Sequence, residues 1–119
     1  MRPRLGAVSF LNTRPLVFTL RRDPVQFDLS YSVPSRCATK LAAGAVDVGL
    51  IPSIEYARSA EPYYIAPGVA IGTRGDVLTV RLYYAGDIEQ VESVALDLSS
   101  RTSVVLLRIV LREKFGLDP

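Results

Sequence analysis

The 119-residue sequence predicts an α/β protein built on a mainly parallel sheet. Two observations carry this. An apolar or alternating run gives way to a polar or proline turn and then to a helical pattern three times in succession, the order β-α-β-α-β-α. Each of those turns also supplies a residue suited to the first turn of a helix, namely Pro15, Pro34 and the pair Pro52-Ser53.

Taken in order, residues 4–10 read as a strand and 13–22 as a helix with Leu16, Val17 and Leu20 on one face, stopped by Asp23-Pro24. Residues 27–33 alternate, with Phe27, Leu29, Tyr31 and Val33 set against Asp28, Ser30 and Ser32, which is the period of a half-buried strand. Pro34-Ser35 opens a helix running to Gly44. Residues 46–51 form a third strand, and Pro52-Ser53 opens a short helix carrying Ile54, Tyr56 and Ala57. The grammar then changes. Residues 63–72 and 77–85 are two extended apolar runs separated only by Thr73-Arg74-Gly75-Asp76, which predicts antiparallel strands. A polar, helical connector over 87–91 leads to a strand over 93–98, and the cluster Ser99-Ser100-Arg101-Thr102-Ser103 opens an apolar helix that ends near Phe115 with Gly116 as its cap. That last strand and helix, with Val104, Val105, Leu106, Leu107, Ile109, Val110 and Leu111, carry more apolar surface than they can bury together. The expectation is a first lobe over residues 1–85 and the opening β-α unit of a second, incomplete lobe over 86–119, with the chain stopping mid-domain. The uncovered helix face then predicts aggregation or pairing with another chain.

Composition narrows the chemistry. With 49% hydrophobic and 22% charged residues the sequence reads as soluble and globular. The net charge of +2 comes from scattered arginines, without a basic run or interleaved aromatics, so nucleic acid is not an expected partner. Cys37 is the only cysteine, which excludes an intrachain disulfide and suits a buried small apolar residue. There is no histidine, hence no imidazole base and no histidine metal ligand. The two lysines, Lys40 and Lys114, lie in polar-face helical contexts that make Schiff-base or pyridoxal chemistry a poor reading. Neither a cofactor nor a metal is expected. Met1-Arg2-Pro3-Arg4 precedes too few apolar residues for a signal-peptide core or membrane span, which predicts a cytoplasmic protein without a membrane partner.

Polar residues collect at the strand ends. Ser9 and Asn12 follow the first strand, where they suit either a ligand or the capping of the next helix. Arg14 suits a carboxylate or plain solvent. Asp47 interrupts an apolar strand and needs a partner if buried, while Gly49 admits close approach of backbone or ligand. Ser53 again stands at a helix mouth. Glu55 and Tyr56 are acid-base candidates by type alone, a surface glutamate and a core tyrosine being the plainer reading. The hydroxyls of Ser99, Ser100, Thr102 and Ser103, with first-turn amides and the helix dipole, suit a carboxylate, against simple capping as the alternative. Asp97, just before them, is a candidate base.

Four stretches together, V-S-F-L-N-T-R-P-L from Val8, V-P-S-R-C-A from Val33, V-D-V-G-L-I-P-S-I-E-Y from Val46 and A-L-D-L-S-S-R-T-S from Ala95, resemble the chorismate dehydratase family in order and register. Phe10 departs from the tyrosine common there. The resemblance implies the first committed step of the futalosine route to menaquinone, in which chorismate loses water to give 3-[(1-carboxyvinyl)oxy]benzoate. It implies a type II periplasmic-binding-protein-like fold whose lobes close on the substrate, Ser9, Asn12, Ile51, Pro52 and Ser53 facing Ser99, Ser100, Arg101, Thr102 and Ser103. It assigns Asn12 a catalytic role and makes Gly72 and Thr73 further contacts. Family members continue beyond the length seen here, so a truncated and impaired enzyme is expected. The competing class is a non-catalytic small-anion-binding module of solute-binding-protein type. Against it stand the lack of an export signal and of a DNA-binding domain ahead of Arg4.

Overall fold

β1 (Arg4–Val8) is the centre of a three-stranded, all-parallel sheet in the order β2-β1-β3. The computed structural model describes residues 1–118. β1 pairs along its whole length with β2 (Asp28–Ser32), from Arg4↔Asp28 to Val8↔Ser32. On its other side β3 (Val48–Gly49) pairs through Leu5↔Val48 and Gly6↔Gly49. Backbone bonds from Asp47 N–H to the Arg4 carbonyl (2.8 Å) and from Leu50 N–H to the Gly6 carbonyl (2.9 Å) continue that contact past both ends. The third strand therefore follows the predicted track with a much shorter ladder, because among the described residues no strand pairs with its outer edge.

α2 (Pro34–Ala42) crosses from β2 to β3 and closes one face of the sheet. Cys37 and Ala38 are its buried residues. A Cβ on Gly6 would stand 2.8 Å from the Cys37 sulfur, and one on Gly49 would stand 3.5 Å from it. Glycine at position 6 is what lets the helix lie this close, whereas at position 49 a Cβ would reach only ordinary contact with the helix. Cys37 is thus the buried small residue the sequence predicts, and burial pushes its thiol pKa up.

The alternation of β2 has the right period and the opposite consequence. Aligned residues of parallel strands share a face, so Ser30 and Ser32 lie with Gly6 and Val8 on the side of α2, while Tyr31 and Val33 are exposed. Ser30 is accommodated by donating its hydroxyl to the Leu5 carbonyl at 3.4 Å.

The helix expected over 13–22 is broken into a 3-10 turn (Leu11–Thr13), a single-turn α1 (Arg14–Val17) and a second 3-10 turn (Leu20–Arg22). Val17, Phe18 and Thr19 are β-branched or aromatic, Pro15 lacks an amide hydrogen, and Pro24 forces Asp23 out of the helical region, so little propensity resists the break. Val17 is buried; Phe18 is exposed and carries the Arg22 guanidinium 4.1 Å above its ring.

α3 (Ser53–Arg58) follows β3, and α4 (Arg101–Phe115) is closed by Gly116 at φ +67°, as the sequence predicts. The polar connector is a 3-10 turn over Ile88–Gln90. The antiparallel pair expected over 63–72 and 77–85 does not form, nor does a strand over 93–98. A strand exists only by virtue of a ladder, and among the described residues no backbone bond joins the first two runs. Val94 and Leu96 instead lie along Leu107 and Leu111 of α4, and Leu111 is 2% exposed. The molecule extends 55 × 30 × 23 Å with a radius of gyration of 17.0 Å, against about 13.5 Å for a compact chain of this length.

Candidate functional site

The carboxyl end of β1 opens into the first candidate wall. The Ser9 N–H donates to the Ser32 carbonyl at 3.2 Å, prolonging the β1–β2 ladder by one step and leaving the exposed residue at the rim of the sheet. The Thr13 N–H then closes onto the Phe10 carbonyl at 3.1 Å, and this turn holds Asn12 out into solvent. Neither Asn12 nor Thr13 makes a side-chain capping bond. Capping, the main competing account of Asn12, is not its role here. Thr13 goes the other way, 1% exposed with its hydroxyl buried and unpartnered. Arg14 is exposed and lies with Leu11, Pro15 and Phe18 on an open surface.

β3 runs beside β1, so its exit, Ile51-Pro52-Ser53, emerges at the same end of the sheet. Ile51 and Pro52 are half-buried and Ser53 is exposed. The Pro52 carbonyl accepts the Glu55 N–H at 3.0 Å and starts α3.

The second candidate wall is built around Asp97. Its carboxylate accepts the Ser99 N–H at 2.9 Å and its carbonyl the Ser100 N–H at 3.2 Å. Hydrogen bonding from Ser99, by its side chain first and then its backbone N–H, holds the Asp97 carboxyl below the usual range, which makes it a turn-forming anion and a weak base. Ser100 donates its hydroxyl to that of Ser103 at 2.7 Å, so the hydroxyls organise one another and no side chain caps α4.

The structure brings two of these regions together. Arg101 Nη1 donates to Glu55 Oε2 at 2.8 Å, and Nη2 reaches Thr39 Oγ1 at 3.4 Å. The Ile54 N–H donates to Thr102 Oγ1 at 3.4 Å. Two successive residues at the start of α4 thus grip two successive residues of α3, next to Ser53. Glu55 is a structural ion-pair partner, and Tyr56, expected in the core, is exposed. The sequence held no signal for Thr39 as a partner of Arg101, since 62 residues separate them. Gly72 and Thr73 are not joined to this assembly by any hydrogen bond among the described residues; they occupy an exposed loop where the Thr73 hydroxyl donates to the Gly75 carbonyl at 3.3 Å.

Asp47, at the opposite end of β3, is half-exposed and fully engaged by Arg4, through Oδ1 to Nη2 at 2.6 Å and Oδ2 to Nε at 3.1 Å and to the backbone N–H at 2.8 Å. It stitches the sheet and lies away from the rim carrying Ser9 and Asn12.

Residues 3–119 match a family model described as menaquinone biosynthesis. The chain belongs to that family. Chorismate dehydratase of Thermus thermophilus is 32% identical to it over 114 residues, a match that takes in 95% of this chain and 41% of the relative. The chain therefore spans about two fifths of that relative's length. The motif resemblance and the family model thus point to the same family. Among the described residues no helix is long and apolar enough to cross a membrane, and no cluster of three or more potential metal-ligating side chains occurs.

Proposed function

We propose that this chain carries part of a chorismate dehydratase site, for conversion of chorismate to 3-[(1-carboxyvinyl)oxy]benzoate on the futalosine route to menaquinone. The observation that supports this best is the docking of the Ser99-to-Ser103 segment against the turn at Ser53, through Arg101 with Glu55 and Thr102 with Ile54. On this reading the segment's bank of hydroxyls, beside the turn at Ser53, forms one wall of the cleft and Ser9 and Asn12 belong to the other. On this reading residues 1–85 are the first lobe of a periplasmic-binding-protein-like fold and 86–119 open the second. The protein works in the cytoplasm without cofactor.

The reaction asks little of the protein. Loss of the ring hydroxyl and a ring proton creates an aromatic ring, so positioning supplies most of what is needed. Asn12, exposed and without a capping role, is the catalytic residue, its amide holding a substrate carboxylate or the departing hydroxyl. A carboxylate of chorismate accepts the proton, in keeping with a chain that has no histidine. Ser9, Ile51, Pro52, Ser53, Ser99, Ser100, Thr102 and Ser103 shape the cleft, with Gly72 and Thr73 as outer contacts. Arg101 contributes by holding the walls together, its guanidinium being engaged by Glu55.

Incubating the 119-residue chain with chorismate tests the reading, with binding followed by calorimetry and conversion by absorbance of the aromatic product. Weak binding with slow conversion is expected, because the cleft is only partly supported. Absence of binding at millimolar chorismate sinks the proposal. Binding without conversion favours the non-catalytic anion-binding module instead.

A further inference from the structure

β2 is the outer strand of the sheet on the side away from β3. Its bonds to β1 alternate along the strand: the Asp28 N–H donates to the Pro3 carbonyl at 3.0 Å, and the Ser32 carbonyl accepts the Ser9 N–H at 3.2 Å. In this parallel register the backbone groups of Asp28, Ser30 and Ser32 face β1. The N–H and C=O of Leu29 and Tyr31 therefore point away from the sheet, and among the described residues no further backbone bond takes them up. The edge is also unprotected. From Asp28 to Ser32 it holds no proline and no lysine, its register with β1 runs without a bulge, and the Tyr31 side chain beside it is half-exposed.

This edge complements itself. Two copies of the strand turned antiparallel about Ser30 set Leu29 of each opposite Tyr31 of the other, and each such pair exchanges two N–H···O bonds. Asp28 then faces Ser32, so no like charges stand directly opposite. On the α2 side of the sheet Lys40 Nζ lies 3.5 Å from Ser30 Oγ, next to that axis. Two Lys40 ammonium groups and two Asp28 carboxylates thus share the joined face, and their charges balance. On the opposite face Tyr31 of each copy meets Leu29 of the other, an aromatic–aliphatic cross-strand pair. An unrelated strand would satisfy the same backbone groups, but the symmetric register and the charge balance belong to a second copy. The outer edge of β3, only two residues long, offers no comparable register.

We propose that the outer edge of β2 pairs antiparallel with β2 of a second copy of this chain, joining two three-stranded sheets into one of six strands across a two-fold axis at Ser30. The pairing is independent of any dehydratase activity. A five-residue edge falls short of the roughly 1,200 Å² that stable interfaces bury, so the dimer is weak and reversible.

Sedimentation equilibrium of the 119-residue chain over a concentration series, with amide exchange followed at both ends of the series, tests the pairing. A reversible dimer with a dissociation constant between about 1 μM and 1 mM is expected. The Leu29 and Tyr31 amides should exchange at least about tenfold more slowly in the dimer. Tyr31→Lys places a charge on the edge, and Tyr31→Pro removes an outward N–H that β1 does not use. Each should weaken dimerisation at least about tenfold, whereas Leu106→Lys on α4 should leave it unchanged. The proposal is overturned if the chain stays monomeric to about 1 mM, if association leaves those two amides unprotected, or if both Tyr31 variants associate as tightly as the parent.

Discussion

Asp47 holds Arg4 by three hydrogen bonds, two from the guanidinium and one from the backbone N–H, while its own N–H returns to the Arg4 carbonyl. The first residue of β1 is thereby locked in register with the entry to β3. The Arg4 guanidinium and backbone amide keep the Asp47 carboxyl at a pKa of about 2.

That lowered value gives a pH dependence with a definite sign. An aspartate whose folded pKa lies below its unfolded one stabilises fully above about pH 4. Its contribution is lost as the pH falls through about 2. The melting temperature of the chain should drop across that window, and Asp47→Asn should flatten this part of the curve while lowering Tm at neutral pH. An unchanged acid limb in the variant would show that the pair contributes nothing to folding.

Gly6→Ala tests the approach of α2. The new methyl meets the Cys37 sulfur at 2.8 Å and Val46 Cγ2 at 3.3 Å, a clash deep in the core. A loss of about 1–3 kcal/mol is expected in urea unfolding. Adding Cys37→Ala removes the nearer atom, so the double variant should recover part of the loss, and strict additivity would refute this account.

Thr13→Val replaces a buried, unpartnered hydroxyl with a methyl group of similar volume. Stability should rise by about 1 kcal/mol. A fall would mean that the hydroxyl is satisfied in solution.

Asn12→Ala separates the two accounts of that residue through stability alone. A capping asparagine replaced by alanine costs about 0.5–2 kcal/mol, but Asn12 makes no capping bond. Unfolding should shift by less than about 0.5 kcal/mol, with chorismate binding reduced.

The Arg101–Glu55 pair is partly exposed, with 40% and 21% of the two side chains accessible. A double-mutant cycle with Arg101→Ala and Glu55→Ala should give a coupling of about 0.2–1 kcal/mol. Zero coupling would leave the Thr102–Ile54 bond as the sole energetically effective polar tie between α4 and α3 among the described residues.

Local patterns carried the first half of the fold and failed where partners were needed. Pro34 with its β-strand neighbour and Gly116 after an apolar run announce α2 and the end of α4 from a few residues each, because caps and propensities are short-range. Residues 63–85 look like strands just as strongly, yet strand formation depends on a ladder that no local pattern contains. The covered face of β2 escapes the sequence for the same reason, since alternation sets the period while α2 decides which side is covered. At the site, the sequence leaves Asn12 open between a ligand and a cap, and only the turn that follows β1 shows that it does not cap. The engagement of Arg101 by Glu55 and Thr39 was not legible, because it joins residues far apart in sequence.

The seating of the Cys37 sulfur against Gly6 has a kinetic consequence. The only thiol in the chain is fully sealed between helix and sheet, so an alkylating reagent reaches it only when that seam parts. Its modification rate is therefore a built-in clock for opening of the α2–sheet unit, readable without any introduced label.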